Sequence, residues 1–199
     1  SSRGELLNVA VGPGFIGRVV GALAEPIDGK GKIEPTEFYS VFREAAGVME
    51  REPISENLRT GIKIIDMLIP IVKGQRELIV GDRQIGKSSI GMDAIINQKG
   101  KNVICVYCWI GGSSAAFNKI MQALNQLGCM DYVFAVCASA GSSTSEQYIC
   151  PYTAAALGEY FMYNGRDVLI IFDDLTKHSW VYRQMSLLLE RAPGREAYP

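Results

Sequence analysis

The eight residues Gly81-Asp82-Arg83-Gln84-Ile85-Gly86-Lys87-Ser88 follow the spacing Gly-x4-Gly-Lys-Ser. That spacing suits the cradling of a phosphate chain. Phosphate oxygens need several backbone N–H groups converging on them. Gly81 and Gly86 let the main chain curl and approach closely, and a helix starting behind them turns its positive end toward the anion. Lys87 then reaches for the β- and γ-phosphates, and the Ser88 hydroxyl is placed to ligate Mg²⁺. The pattern carries weight only between a strand and a helix, and both are expected: Glu77 to Val80 reads as strand and Ser88 to Asn97 as helix. The candidate nucleotide-binding set is Gly81, Asp82, Arg83, Gln84, Ile85, Gly86, Lys87, Ser88 and Ser89, with ATP or ADP as ligand and Mg²⁺ as its counter-ion.

A second chemical feature is the apolar run Val168-Leu169-Ile170-Ile171-Phe172 ending in Asp173-Asp174. Ligands of open α/β sheets bind beyond the carboxyl ends of the strands. A carboxylate delivered there suits a hard cation, directly or through water. Ser88 and Asp173 are the candidate metal ligands, with Asp174 a lesser one. Three other patterns are set aside. Gly12-Pro13-Gly14-Phe15-Ile16-Gly17 fits a dinucleotide fingerprint, but Pro26 and the Gly29 and Gly31 turn come before any second strand ending in an acid. Cys105 and Cys108 are three apart in an expected strand and so face opposite sides, with no second pair to complete a zinc site. His178 is the only histidine and has no nucleophile signature around it; it reads as a helix-face residue.

Positioning these groups takes a scaffold, and the apolar pattern supplies one. Strand-like runs at Asn102 to Ile110, Tyr132 to Ala138 and Asp167 to Phe172 alternate with helical stretches. Phe117, Ile120, Leu124 and Leu127 recur at helical spacing, with Ser113 or Ser114 as cap and Gly128 as stop, and Val181, Met185, Leu188 and Leu189 form a further stripe. Continuously apolar strands are covered on both faces, so the expected fold class is α/β, a mainly parallel sheet of the phosphate-loop NTPase type. Thr60 to Leu68 reads as a short helix. Residues 1–31 alternate short β-like runs with Gly-rich turns and read as the end of a small β-domain, leaving 32–199 as the nucleotide-binding domain.

Composition bounds the function. With 199 residues, 48% of them apolar, one large core is possible, and size scaling gives roughly 9,000 Å² of folded surface. Twenty basic against 21 acidic side chains leave a net charge of -1, which gives no bulk attraction to nucleic acid. No apolar stretch approaches the roughly 20 residues of a membrane-spanning helix. The five cysteines form no disulfide framework and read as small buried hydrophobes. A start without Met or an apolar leader leads us to expect a piece of a longer chain.

At this level of detail the sequence resembles the alpha subunit of F-type ATP synthases, whose core is like that of RecA. The likeness is carried by Gly17-Arg18-Val19-Val20, Pro26-Ile27-Asp28-Gly29, Gly74-Gln75-Arg76-Glu77-Leu78, the loop with its internal Asp82-Arg83-Gln84, Ile95 to Lys99, Pro151-Tyr152, Glu159-Tyr160-Phe161, the strand ending Asp173-Asp174, Tyr182 to Leu189, and Pro193 to Pro199. It implies a RecA-like domain preceded by a remnant of a β-barrel. It also implies beta subunits as partners in an alternating hexamer around a central stalk, and peripheral membrane association through a proton-translocating complex. Asn102 to Tyr107 and Tyr160 to Tyr163 are similar to plastid and bacterial versions. The expected location is therefore the stromal side of the thylakoid membrane, with the bacterial plasma membrane or mitochondrial inner membrane as alternatives.

The resemblance further implies a subunit that binds Mg-ATP without turning it over, with no catalytic residue of its own. Hydrolysis needs a base or water-positioning group near the γ-phosphate. Catalytic relatives place glutamate just after the strand equivalent to Asn102 to Ile110, and alpha subunits usually place glutamine. This chain has Gly112 there, inside Gly111-Gly112-Ser113, and Trp109 where alanine is usual. The alternatives are a RecA-like hexameric nucleic-acid translocase, disfavoured by the near-neutral charge, and a degenerate assembly module that binds no nucleotide.

Overall fold

The structure is a computed structural model and describes residues 6–51 and 53–191. The closing Pro193 to Pro199 stretch of the resemblance, and Ala192, lie outside them. In chain order the elements are β1 (Asn8–Val11), β2 (Val19–Val20), β3 (Glu37–Ser40), β4 (Asn57–Leu58), α1 (Lys63–Leu68), β5 (Ile71–Val72), α2 (Lys87–Ile96), β6 (Val103–Ile110), α3 (Ser114–Gln126), β7 (Val133–Ala138), α4 (Thr144–Tyr163), β8 (Asp167–Asp173) and α5 (Leu175–Leu188).

The central sheet runs β2-β7-β6-β8, and every pair in it is parallel. β6 is the reason the sheet is covered on both sides: all eight of its residues are buried. Its alternate side chains divide between two cores. Ile104, Val106, Cys108 and Ile110 pack with α4 and β1, while Val103, Cys105, Tyr107 and Trp109 pack with Ile95, Phe117 and Leu124 of α2 and α3. The chain leaves β6 through α3 to β7 on one side, and returns through α4 to β8 on the other. That reversal opens the carboxyl edge of the sheet as the place for a ligand.

Local chemistry fixes the helix starts. Ser113 caps α3 by accepting from the Ala116 amide, and Ser143 and Glu146 form a reciprocal capping box at α4. α4 is the element the periodicity misses. It buries residues on several sides, Cys150, Ala154, Leu157 and Phe161 among them, and carries Pro151 in its interior, so it has neither a single apolar stripe nor the absence of proline that marks a helix in sequence. The Thr153 hydroxyl, fully buried on it, donates to the Ala22 carbonyl at 2.5 Å. Thr153→Val keeps the shape and orphans that carbonyl; we expect a loss of about 1–2 kcal/mol in denaturant unfolding.

Two expectations are corrected. Glu77 to Val80 does not form a strand, and Leu78 and Val80 are 70% and 81% exposed. β8 pairs with β6 alone among the described residues, and an apolar run becomes a strand only through a ladder. Upstream, β5 pairs with β4 and Lys73 bonds Asp167 at 2.5 Å at the start of β8; between β5 and α2 no residue joins a strand ladder. The accessible surface is 12747 Å², well above the size-scaling figure. Ile64, Met67, Leu68 and the outer face of α5 contribute exposed apolar area. The expected strands β6, β7 and β8, the helices α2, α3 and α5, and a shorter α1 are in place.

Val19 and Val20, within the stretch read as the β-domain remnant, join the main sheet beside β7. They are held by an ion pair: Arg18 Nε and Nη2 donate to Asp28 at 2.7 and 2.9 Å, and Asp28 also accepts from the Val19 and Lys30 amides.

Candidate functional site

The phosphate-type loop begins and ends where the sequence places it, and its backbone shows why glycine is needed. Gly86 stands at φ +97° immediately before α2, a left-handed conformation that a Cβ would strain. α3, α4 and α5 are capped by the side chains of Ser113, Ser143 and Asp174, whereas Gly86 offers α2 none. The first-turn amides of α2 therefore face outward with no side-chain acceptor, the arrangement an anion completes. Gly81, Asp82, Arg83, Gln84, Ile85 and Ser89 are exposed, while Gly86, Lys87 and Ser88 are half-buried. Lys87 Nζ donates to the carbonyls of Gly81 and Asp82 across its own loop. Those partners are neutral, so the ammonium keeps its charge available to a phosphate. The Ile85 side chain lies over Gly81 and is 63% exposed.

Asp173 ends β8 on the carboxyl edge, in register with Trp109 of β6. Its Oδ2 accepts from the Tyr107 hydroxyl at 2.7 Å, and the Ser88 side chain lies beside that hydroxyl. Burial first, and the neighbouring Asp173 second, push the Tyr107 phenol well above its ordinary value, so it serves as a donor throughout the physiological range. The two expected metal ligands, far apart in sequence, thus meet at one hydroxyl, which donates to Asp173 and has Ser88 beside it. Among the described residues no group of three or more His, Cys, Asp or Glu could hold a metal. One hydroxyl and one carboxylate fit Mg²⁺, which commonly takes a few protein oxygens and completes its shell with phosphate and water.

The other candidates sort cleanly. Asp174 is occupied structurally: Oδ1 accepts from the Lys177 amide at 2.8 Å to cap α5, and Oδ2 pairs with Lys177 Nζ at 2.9 Å. His178 lies on α5 with its ring stacked on Tyr148 and Nε2 3.1 Å from the Tyr148 carbonyl. Cys105 and Cys108 enter opposite cores, and burial pushes the Cys137 thiol up to about 12, the behaviour of inert small hydrophobes. Pro13–Phe15 make one 3-10 turn leading into β2, where a dinucleotide site would need a helix. Tyr107 is the participant that sequence reasoning missed. Its signal was a single hydroxyl in a strand otherwise made of aliphatic residues, cysteines and a tryptophan.

With this geometry in hand, comparison with known proteins decides the family. Residues 61–199 match the ATP synthase alpha/beta family, nucleotide-binding domain. The chain belongs to that family. It is 54% identical over 194 residues to the ATP synthase subunit alpha of Petrotoga mobilis, covering 98% of this chain and 38% of that protein. It is also 54% identical over 195 residues to the ATP synthase subunit alpha 1 of Mycoplasmopsis pulmonis, covering 98% and 37%. The chain thus spans less than two-fifths of the length of either relative. Family membership accounts for the α/β architecture and for nucleotide binding as the role of the domain holding the Gly81 to Ser89 loop and Asp173. The likeness to alpha subunits, read first from scattered motifs, extends along nearly the whole chain.

Proposed function

We propose that this chain is the nucleotide-binding core of a non-catalytic, regulatory alpha subunit of a rotary, proton-translocating ATP synthase. In this reading Mg-ATP or Mg-ADP sits on the Gly81 to Ser89 loop. Amides of the loop and of the α2 start take the phosphates, Lys87 adds a mobile positive charge, and Ser88 with Asp173 hold Mg²⁺. The metal supplies neutralisation of phosphate charge. Tyr107 holds the Asp173 carboxylate by a hydrogen bond, with Ser88 beside the same hydroxyl.

The observation that carries the non-catalytic part is Gly112. It is buried at the end of β6, and a Cβ built on it would stand 2.1 Å from the Trp109 ring. Position 112 therefore has neither a water-positioning group nor room for one. A single-turnover experiment tests this: chain in excess over γ-labelled ATP with Mg²⁺ releases phosphate no faster than background while nucleotide stays bound. A stoichiometric phosphate burst would overturn the reading. Gly112→Glu alone does not restore turnover, because the added side chain collides with the indole before it reaches a ligand.

The partners in this reading are beta subunits in an alternating alpha/beta hexamer and a central stalk subunit, with membrane association through the complex; no helix among the described residues is long and apolar enough to cross a bilayer. In the same reading residues 1–31 are the end of a β-barrel whose Val19 and Val20 lend an edge strand to the main sheet, and residues 32–199 are the nucleotide-binding domain. Both named relatives are bacterial, which favours the cytoplasmic side of a bacterial plasma membrane over the thylakoid.

A further inference from the structure

Trp109 is the penultimate residue of β6, on the face that carries Tyr107, and the residue is 6% exposed. The Tyr107 and Trp109 ring centroids lie 6.4 Å apart with planes 21° from parallel. Phe117 of α3 flanks the indole at 6.0 Å, and Lys177 Nζ lies 5.6 Å from its centroid. The indole is therefore the layer above Tyr107 toward the carboxyl edge, and the Tyr107 hydroxyl donates to Asp173 with the Ser88 side chain beside it. A phosphate chain running from the loop to those two oxygen ligands ends beside this layer.

Two observations set Trp109 apart from ordinary packing. Its Nε1 is buried and has no hydrogen-bond partner among the described residues, which folded proteins seldom tolerate unless a partner arrives from elsewhere. A side chain at position 112 would begin 2.8 Å from that same nitrogen, so the indole N–H fills the space that such a side chain would need.

We propose that Trp109 is a specificity-determining residue of the nucleotide site: its Nε1–H donates to the terminal phosphoryl oxygen of a nucleoside triphosphate, and so favours ATP over ADP. This rests on the reading of the Gly81 to Ser89 loop as a nucleotide site. A neutral donor at the γ-phosphate orients that group without supplying a base, which agrees with a site that retains its ligand.

The test uses Trp109→Phe, which removes the donor and keeps an aromatic ring in the stack, with ATP and ADP affinities measured by equilibrium titration. Wild type prefers ATP, and the substitution reduces the ATP-to-ADP affinity ratio about tenfold or more by weakening ATP alone, as expected for loss of a hydrogen bond to a charged group. Nucleotide-free melting temperature checks that the variant folds. A second readout uses Trp180→Phe, which leaves Trp109 as the only tryptophan of the chain; Trp180 is 54% exposed. In that background ATP shifts the indole emission and ADP shifts it much less. An unchanged affinity ratio in a folded Trp109→Phe, or equal emission changes with both nucleotides, overturns the role of Trp109. Absence of binding by either nucleotide to wild type overturns the nucleotide-site reading itself.

Discussion

Lys87→Ala lowers the affinity for Mg-ATP about a hundredfold while leaving the ligand-free melting temperature nearly unchanged. The split follows from where the ammonium is. Without ligand, Lys87 Nζ bonds two backbone carbonyls of its own loop, both on residues exposed to water, so its removal orphans nothing buried. Alanine is also favourable at the first position of α2. With ligand, the same ammonium meets phosphate oxygens, and a charge-assisted bond of this kind contributes about 1.5–3 kcal/mol, or roughly 10- to 150-fold in affinity. The result is read as a thermal shift. At a nucleotide concentration of about 100 Kd the wild type gains about 2.7 kcal/mol, roughly 8 °C for a domain of this size. At the same concentration the variant gains only about 1 °C. Equal shifts in the two proteins would place the ligand elsewhere.

Asp28→Ala costs about 3 kcal/mol or more of folding stability. Asp28 and Arg18 are 7% and 13% exposed, so the guanidinium left behind is mostly cut off from water, and breaking one partner of a buried pair is costlier than the pair's net worth. The amides of Val19 and Lys30 lose their acceptor as well, and with them the anchorage of β2 to the sheet edge. The same pair makes stability depend on pH. The Arg18 hydrogen bond is the main cause holding the Asp28 carboxyl far below the ordinary carboxylate range. A depressed folded value means the unfolded chain binds the proton more readily, so the contribution is complete above the unfolded value, near 3.9. It is lost as pH falls below that toward the folded value. Denaturant unfolding of wild type and Asp28→Ala across pH 7 to 2 checks this: the gap between them narrows only in the acid range. A gap independent of pH would mean the carboxylate's charge is not what stabilises β2.

The backbone of the 81–89 loop was more legible in the sequence than parts of the scaffold that presents it. Gly86 and Lys87 could be read because glycine spacing and a lysine encode a backbone shape directly, and the left-handed Gly86 is that shape. β6 could be read because eight buried residues leave a continuous apolar run. α4 could not, since a helix buried on several sides with an internal proline has no stripe to detect. The 77–80 run was misread for the opposite reason: apolarity announces a preference for burial but names no strand to pair with. The meeting of Ser88 and Asp173 at Tyr107 was invisible because it brings together β6, β8 and the start of α2, and adjacency across parallel strands depends on register that no local pattern records. Trp109 and Gly112 were noticed as departures from family habit. Their steric interlock needed coordinates, because it depends on the ring turning back over the chain three residues later.

The most direct measurement of the central claim is equilibrium dialysis of the chain against ATP with Mg²⁺, repeated with inorganic tripolyphosphate as competitor, followed by chromatography of the bound nucleotide. We expect one ATP per chain, displaced by tripolyphosphate, lost in Lys87→Ala, and recovered as intact triphosphate. Retention of ATP that tripolyphosphate cannot displace and that survives Lys87→Ala would contradict a site built on the phosphate loop.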